Sequence, residues 1–218
     1  DMTRVVVLGS GTYRIGSSVE FDNSCVNTVW ALKKLEVNEV VVVNCNPETV
    51  STDYDIADKL YFEELSFERV MDICDKEKPA GVIVSVGGQT PNNIALQLSQ
   101  SGIPILVTKA EDLARSEDRS KFSSLLTSLG IPQPRWLKLT TVEDATSFSR
   151  EIGFPVLVRP SYVLSGAAMR VANNEIELEA VLKVATDVSE DHPVVISKFV
   201  ENAKECDVDA VCDGRDVL

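Results

Sequence analysis

Arg4-Val5-Val6-Val7-Leu8-Gly9-Ser10-Gly11 decides the fold: a short β-branched run closed by a glycine turn, with an amphipathic segment from about Ser17 to Leu35 directly behind it. Apolar residues in a short run predict a strand, and helical spacing after the turn predicts a helix. The pattern then repeats. A second strand is expected over Glu39 to Asn44, a helix from about Ser66 to Lys76, and a third apolar run over Gly81 to Val86, closed by Gly87-Gly88-Gln89. A helix over Pro91 to Gln100 and a run at Pro104 to Val107 complete it. Strands alternating with helices imply a doubly wound parallel sheet whose working edge lies at the strand carboxyl ends.

From Ala110 the rhythm changes. Helices are expected over Glu117 to Leu129 and Thr141 to Ile152, on either side of Gly130-Ile131-Pro132-Gln133-Pro134, and strands at Pro155 to Arg159 and Ala168 to Ala172. A helix from Glu175 to Thr186, a strand over Pro193 to Ser197 and a final run over Cys206 to Leu218 extend this part as an α+β unit. The expected domains are therefore 1–110 and 111–218. The last residues, Asp216-Val217-Leu218, read as the middle of a strand, so a fragment of a longer protein is expected. The chain shows neither an internal repeat nor a low-complexity tract.

Composition narrows the function classes. At 218 residues, two modest domains can each bury a core. Hydrophobic residues make up 44% and charged ones 25%, as in a soluble globular protein, and no apolar run approaches a membrane span. Residues 1 to 9 lack the long apolar region of a secretory signal, although processing can remove such a segment. A net charge of −13 with no basic patch argues against nucleic acid, which needs many cations to neutralise phosphates. The five cysteines, Cys25, Cys45, Cys74, Cys206 and Cys212, have no paired spacing and are expected to be reduced core residues. The one histidine, His192, precedes Pro193 in a polar turn, which leaves Ser/His/Asp or metal chemistry without partners.

Several stretches carry candidate chemistry. Val158-Arg159-Pro160-Ser161-Tyr162-Val163-Leu164-Ser165-Gly166-Ala167-Ala168-Met169 ends an apolar run on an arginine and enters a turn of small residues. A guanidinium there can fork phosphate oxygens, and backbone N–H groups of the Ser165-Gly166 turn can approach them closely; an ordinary hairpin is the alternative. Gly9 to Gly16 resembles a dinucleotide fingerprint, but its last glycine comes too late and the second strand ends in Asn44-Cys45-Asn46 instead of an acid. That turn either presents Arg14 and Ser17 at the sheet edge or is structural. Asn46 to Asp53 and Gly87 to Asn93 also follow strands, so three polar loops should converge on one edge. Their amides and hydroxyls suit a small polar group or a neighbouring domain, or serve as turns and N-caps at Thr52 or Thr90. Glu117-Asp118-Arg119 opens a helix where Arg119 reaches phosphate or pairs with nearby acids. Ser197 to Glu205 links a strand to a loop; its backbone can border an adenine edge and Glu205 can accept from ribose hydroxyls, or the loop is simply solvated.

Taken together these stretches resemble one family along essentially the whole chain: the large chain of carbamoyl-phosphate synthetase, in its second, carbamate-phosphorylating half. The resemblance rests on Gly-Thr-Tyr-Arg-Ile-Gly-Ser-Ser-Val-Glu-Phe-Asp at 11 to 22, Val-Asn-Cys-Asn-Pro-Glu-Thr-Val-Ser-Thr-Asp at 43 to 53, Ser-Val-Gly-Gly-Gln at 85 to 89, and Arg-Pro-Ser-Tyr-Val-Leu-Ser-Gly-Ala-Ala-Met at 159 to 169. Val107-Thr108-Lys109-Ala110 departs from the family's usual Gly-Thr-Ser-Pro, and Ala114 stands where an acid is usual.

The resemblance implies a pre-ATP-grasp doubly wound sheet domain followed by the opening part of an ATP-grasp α+β domain. By the same resemblance Arg119 and Arg159 bind nucleotide phosphates, Ser165 and Gly166 belong to the loop covering them, Lys198 and Val200 border the adenine, and Glu205 holds the ribose. It implies ATP with Mg²⁺, whose protein ligands are expected beyond Leu218, and carbamate as phosphoryl acceptor. The first synthetase half and a glutaminase supplying ammonia are the implied partners, with pyrimidine or arginine synthesis as the pathway. A cytoplasmic or mitochondrial location is implied, and the chain alone is expected to be inactive. The competing expectations are a non-catalytic docking or regulatory module and another ATP-grasp carboxylate ligase.

Overall fold

The computed structural model describes residues 3–13, 19–139, 141–160, 169–188, 194–208 and 210–218. By packing, these fall into two units that divide after Ile131. In the first unit β1 (Arg4–Leu8), β2 (Glu39–Val43), β3 (Lys59–Tyr61) and β4 (Gly81–Ile83) form a parallel sheet in the order β3-β2-β1-β4. The helices are α1 (Val19–Lys34), α2 (Phe67–Glu77), α3 (Gln89–Gln100), α4 (Ala110–Glu117) and α5 (Arg119–Ser128).

The valine runs explain the layering. Side chains alternate across a strand, and here both sets are apolar, so both faces need a cover. Val5, Val7, Val40 and Val42 pack with Cys25, Val26 and Val29 of α1. Val6, Leu8, Val41 and Val43 pack instead with Val70 and Ile73 of α2 and Ala95 and Leu98 of α3. The chain leaves β1 towards β2 on one side, and β4 later takes the other side, so the turns after β1 and β4 flank the point where the winding reverses.

At the opposite edge, charges pin the strand starts to the end of α2. Glu77 is buried, accepts from Tyr61 Oη at 2.5 Å and Lys59 Nζ at 2.9 Å, and lies 3.3 Å from an Arg4 guanidinium nitrogen. Glu39 pairs with Arg4 and with Lys59. These partners hold the Glu77 carboxyl below the usual carboxylate range, chiefly through the Tyr61 hydroxyl and then Lys59.

Among the described residues, three short strands or helices were not expected from the sequence, nor was a single 3-10 turn at Val50–Thr52. β3 has three residues, two of them exposed, which shows no apolar run. α4 buries only Ala110 and Leu113 among charged neighbours, and β5 (Trp136–Lys138) is again three residues. The expected strand at Pro104 to Val107 is reduced to a single parallel bridge, Ile105 to Val82; Pro104 brings no N–H and only its carbonyl joins, accepting from Val82 at 2.8 Å.

The second unit is an antiparallel sheet, order β5-β8-β6-β7, built from β5, β6 (Val156–Pro160), β7 (Arg170–Ala172) and β8 (Val194–Lys198). Its helices are α6 (Val142–Ile152), capped by Thr141 accepting from Asp144 N–H at 3.1 Å, and α7 (Glu175–Val188). Ala145 of α6 and Leu178 and Leu182 of α7 pack on Val156, Val158, Ala172, Val194 and Ile196. The final run does not extend this sheet as expected. Val211 and Leu218 exchange backbone hydrogen bonds of 3.0 and 2.9 Å around a turn in which Asp213 accepts from the Arg215 and Asp216 N–H groups, a small exposed hairpin of its own.

Candidate functional site

In the second unit, register assigns each candidate a face. Residues directly opposite in an antiparallel pair share a face, and Arg159 lies opposite Val195, Leu157 opposite Ser197. Val156, Val158 and Ile196 point to α6 and α7, so Arg159, Leu157, Val195 and Ser197 belong to the other face of the sheet. Lys198, opposite Val156, takes the helix side. Its ammonium donates to the Gly153 and Phe154 carbonyls at 3.1 and 2.8 Å, and its N–H donates to the Arg135 carbonyl at 2.9 Å. Arg159 and Lys198 are thus not brought side by side: three residues separate them along the strand pair, roughly 10 Å. Val200 is 55% exposed and Glu205 is exposed, both on the segment leaving β8. Ser165 and Gly166 lie outside the described residues, as do Arg14, Ser17 and His192.

In the first unit the three polar loops do meet at the carboxyl edge. Asn44, where a dinucleotide fold would place an acid, is fully buried and organises the turns: its Oδ1 accepts from Gly11 N–H at 2.9 Å and Cys45 N–H at 3.0 Å, and its Nδ2 donates to Ser51 Oγ at 2.9 Å. Tyr13 Oη and Thr49 Oγ1 lie 2.8 Å apart, and Asp22 accepts from Ser51 N–H at 3.2 Å. Gly87 closes the turn after β4 so tightly that a Cβ would sit 2.3 Å from the Gly9 carbonyl. Much of the amide and hydroxyl content therefore knits the loops together. The expected caps fall elsewhere: Thr52 donates to the Thr49 and Asn46 carbonyls at 2.8 and 3.2 Å, and α3 is capped at Gly88, with Thr90 already inside the helix.

Arg119 is the first residue of α5, behind Asp118, whose side chain accepts from the Ser120 and Lys121 N–H groups at 2.9 and 3.0 Å. A helix start favours acids, so Arg119 and Lys121 there run against the dipole and suit an anionic ligand. One residue earlier, Glu117 ends α4 and accepts from Gln89 Nε2 at 2.9 Å and Asn92 Nδ2 at 3.0 Å. These contacts span 28 and 25 residues, and no local pattern in the sequence announces them. A cleft of about 530 Å³ lies over the α3–α5 helices, lined by Leu96, Arg115, Lys121, Ser124 and Leu125, and does not include Arg119.

The cysteines divide. Cys25 and Cys74 are buried, and burial pushes their thiols up to about 12 and about 11 respectively; Cys206 and Cys212 are exposed, against the expectation of core positions.

A parallel doubly wound sheet followed by a four-stranded antiparallel sheet is an arrangement this chain shares with part of a biotin carboxylase domain. The chain resembles the biotin carboxylase domain of Hydrogenobacter thermophilus 2-oxoglutarate carboxylase, solved with MgADP, ADP and bicarbonate, with a TM-score of 0.71 at 20% identity over 92% of this chain and 45% of that one. At that identity the likeness speaks for the fold. The chain belongs to the carbamoyl-phosphate synthase large-chain family: residues 1–115 match the carbamoyl phosphate synthase preATP-grasp domain, and residues 118–218 match the carbamoyl-phosphate synthase L chain, ATP binding domain. It is 58% identical over 214 residues to the mitochondrial arginine-specific large chain of Neurospora crassa, covering 98% of this chain and 18% of that one. It is 55% identical over 215 residues to the large chain, C-terminal section, of Aquifex aeolicus, covering 99% and 40%. The chain thus spans less than half the length of these relatives.

Proposed function

We propose that this chain supplies nucleotide-binding surface to the carbamoyl-phosphate synthase half that phosphorylates carbamate. The observation carrying the proposal is Arg159: a half-buried arginine at the end of β6, on the sheet face turned away from α6 and α7, immediately before the Ser161–Met169 stretch. The match to a relative named as a C-terminal section favours the second half. The functional domains are proposed as 1–110 and 111–218, which places α5 and Arg119 in the ATP-grasp part, while the preATP-grasp match runs on to residue 115 through most of α4.

In the reaction a carbamate oxygen attacks the γ-phosphorus of ATP, the bond to the β,γ-bridging oxygen breaks, and carbamoyl phosphate and ADP form. Such transfer depends on positioning and on neutralising charge. Arg159 holds phosphate oxygens in its planar fork, which a lysine cannot reproduce, and Arg119 supplies a second cationic contact. Backbone N–H groups of Ser165 and Gly166 cover the phosphates. Main-chain groups about Lys198 and Val200 border the adenine, the Lys198 ammonium being engaged by carbonyls, and the Glu205 carboxylate accepts from the ribose hydroxyls. Among the described residues no three His, Cys, Asp or Glu side chains are gathered to hold a metal ion. Mg²⁺ would arrive with the nucleotide as Mg-ATP and would neutralise phosphate charge there. The first synthetase half and a glutaminase supplying ammonia are the proposed partners, in the cytoplasm or in mitochondria.

The test is Mg-ATP titration of the natural full-length protein with Arg159→Ala and Arg159→Lys. Two charge-assisted bonds at about 1.5 kcal/mol each predict weakening of roughly 100-fold for alanine, with lysine between. Unchanged binding in Arg159→Ala removes the phosphate clamp.

A further inference from the structure

Glu117 is in an unusual electrostatic position. A carboxylate in the last turn of a helix faces the negative end of the dipole, and that placement disfavours it. Here the side chain leaves its own helix and docks on the first turn of α3, the positive end of another. Both of its oxygens are engaged: Oε2 accepts from Gln89 Nε2 at 2.9 Å and Oε1 from Asn92 Nδ2 at 3.0 Å. Gln89 is itself held, donating to Asn93 Oδ1 at 2.7 Å. The base of the clamp is rigid too, since Gly88 caps α3 with φ +75° and Gly87 lies against the Leu8 and Gly9 carbonyls.

The next two residues give this clamp a consequence. Asp118 caps α5 by accepting from Ser120 and Lys121, and Arg119 is the first residue of that helix. Glu117, Asp118 and Arg119 are consecutive, so anchoring the first fixes where the helix starts and where the guanidinium stem leaves the backbone. We propose that Gln89 and Asn92, acting through Glu117, are positioning residues for Arg119: they tie the turn after β4 to the α4–α5 junction and set the arginine for the nucleotide phosphates. This rests on the assignment of Arg119 to phosphate made above. Neither amide touches nucleotide in this scheme. They act by removing freedom from the residue that does.

The experiment is a double-mutant cycle on Mg-ATP affinity in the natural full-length protein. Gln89→Leu with Asn92→Leu is expected to raise the dissociation constant about tenfold when Arg119 is present, and by less than about twofold in an Arg119→Ala background. An equal factor in both backgrounds overturns the inference, because the amides would then act independently of Arg119. If Arg119→Ala alone leaves affinity unchanged, the phosphate assignment fails and the inference falls with it, a result distinguishable from additivity. A second series guards against misfolding. Gln89→Glu sets two carboxylates against each other and should weaken binding; adding Glu117→Gln restores a donor–acceptor pair with its direction reversed and should recover affinity to within about threefold. Failure of the reversed pair to recover, in a protein with the parental melting temperature, also overturns the proposal.

Discussion

Gly87 leaves no room for a β-carbon: besides the Gly9 carbonyl at 2.3 Å, one would meet Pro91 Cγ at 2.5 Å and the Leu8 carbonyl at 2.7 Å. Two of those neighbours are backbone and cannot swing aside. Gly102 has the opposite problem, with φ +87° and nothing within 4 Å of the added carbon. Gly87→Ala should therefore cost about 3 kcal/mol through forced displacement, and Gly102→Ala about 1 kcal/mol through backbone strain alone; urea unfolding of the two variants checks the order. At this scale the sequence showed positions that depend on immediate neighbours: Arg159 falls near the end of an apolar strand, and Arg119 at the start of a helix, as their local patterns suggest. The contacts of the Asn44 amide and the Glu117 carboxylate are not legible in this way, since their partners lie from 7 to 33 residues away except for the adjacent Cys45 N–H.

Among elements, α2 shows how a helix end is fastened to a sheet. Its last residue, Glu77, meets Lys59 and Tyr61 of β3 and Arg4 of β1. Because the folded carboxyl is held below its ordinary value of 4.5, its contribution to stability is fully present above the unfolded value and is lost as pH falls through the lower folded one. Glu39 shifts the same way, led by Lys59 and then Arg4. Lys59 is raised above 10.5, so its share persists through neutral pH and disappears only in strong alkali. Urea midpoints measured at pH 7 and at successive steps below 4.5 should fall steeply in the parent and less steeply in Glu77→Gln. Equal slopes would mean the network does not govern acid stability. The strands and helices with long apolar faces were legible from periodicity; β3, α4 and β5 were not, because a three-residue strand or an eight-residue charged helix holds too few buried positions to establish a period.

Across the whole chain, the first unit is a sheet sandwiched between two apolar layers and the second is a sheet covered by α6 and α7. The change of pattern after Ala110 suggested two parts, but packing divides the chain after Ile131 and keeps α4 and α5 with the first unit, while the small hairpin at 211–218 was hidden in what looked like one strand. No helix among the described residues is long and apolar enough to cross a membrane. The distribution of sulfur then offers a clock. Cys25 sits in the layer on the α1 side of the first sheet and Cys74 in the layer on the α2 side, both protonated near neutrality, whereas Cys206 and Cys212 stand in solvent in the second unit. Maleimide reacts with thiolate, so mass spectrometry should find the latter two alkylated within minutes and the former pair only as the first unit opens. Peptide-resolved alkylation would time the loss of each hydrophobic layer separately, and a dye attached at Cys206 or Cys212 would leave both of them intact.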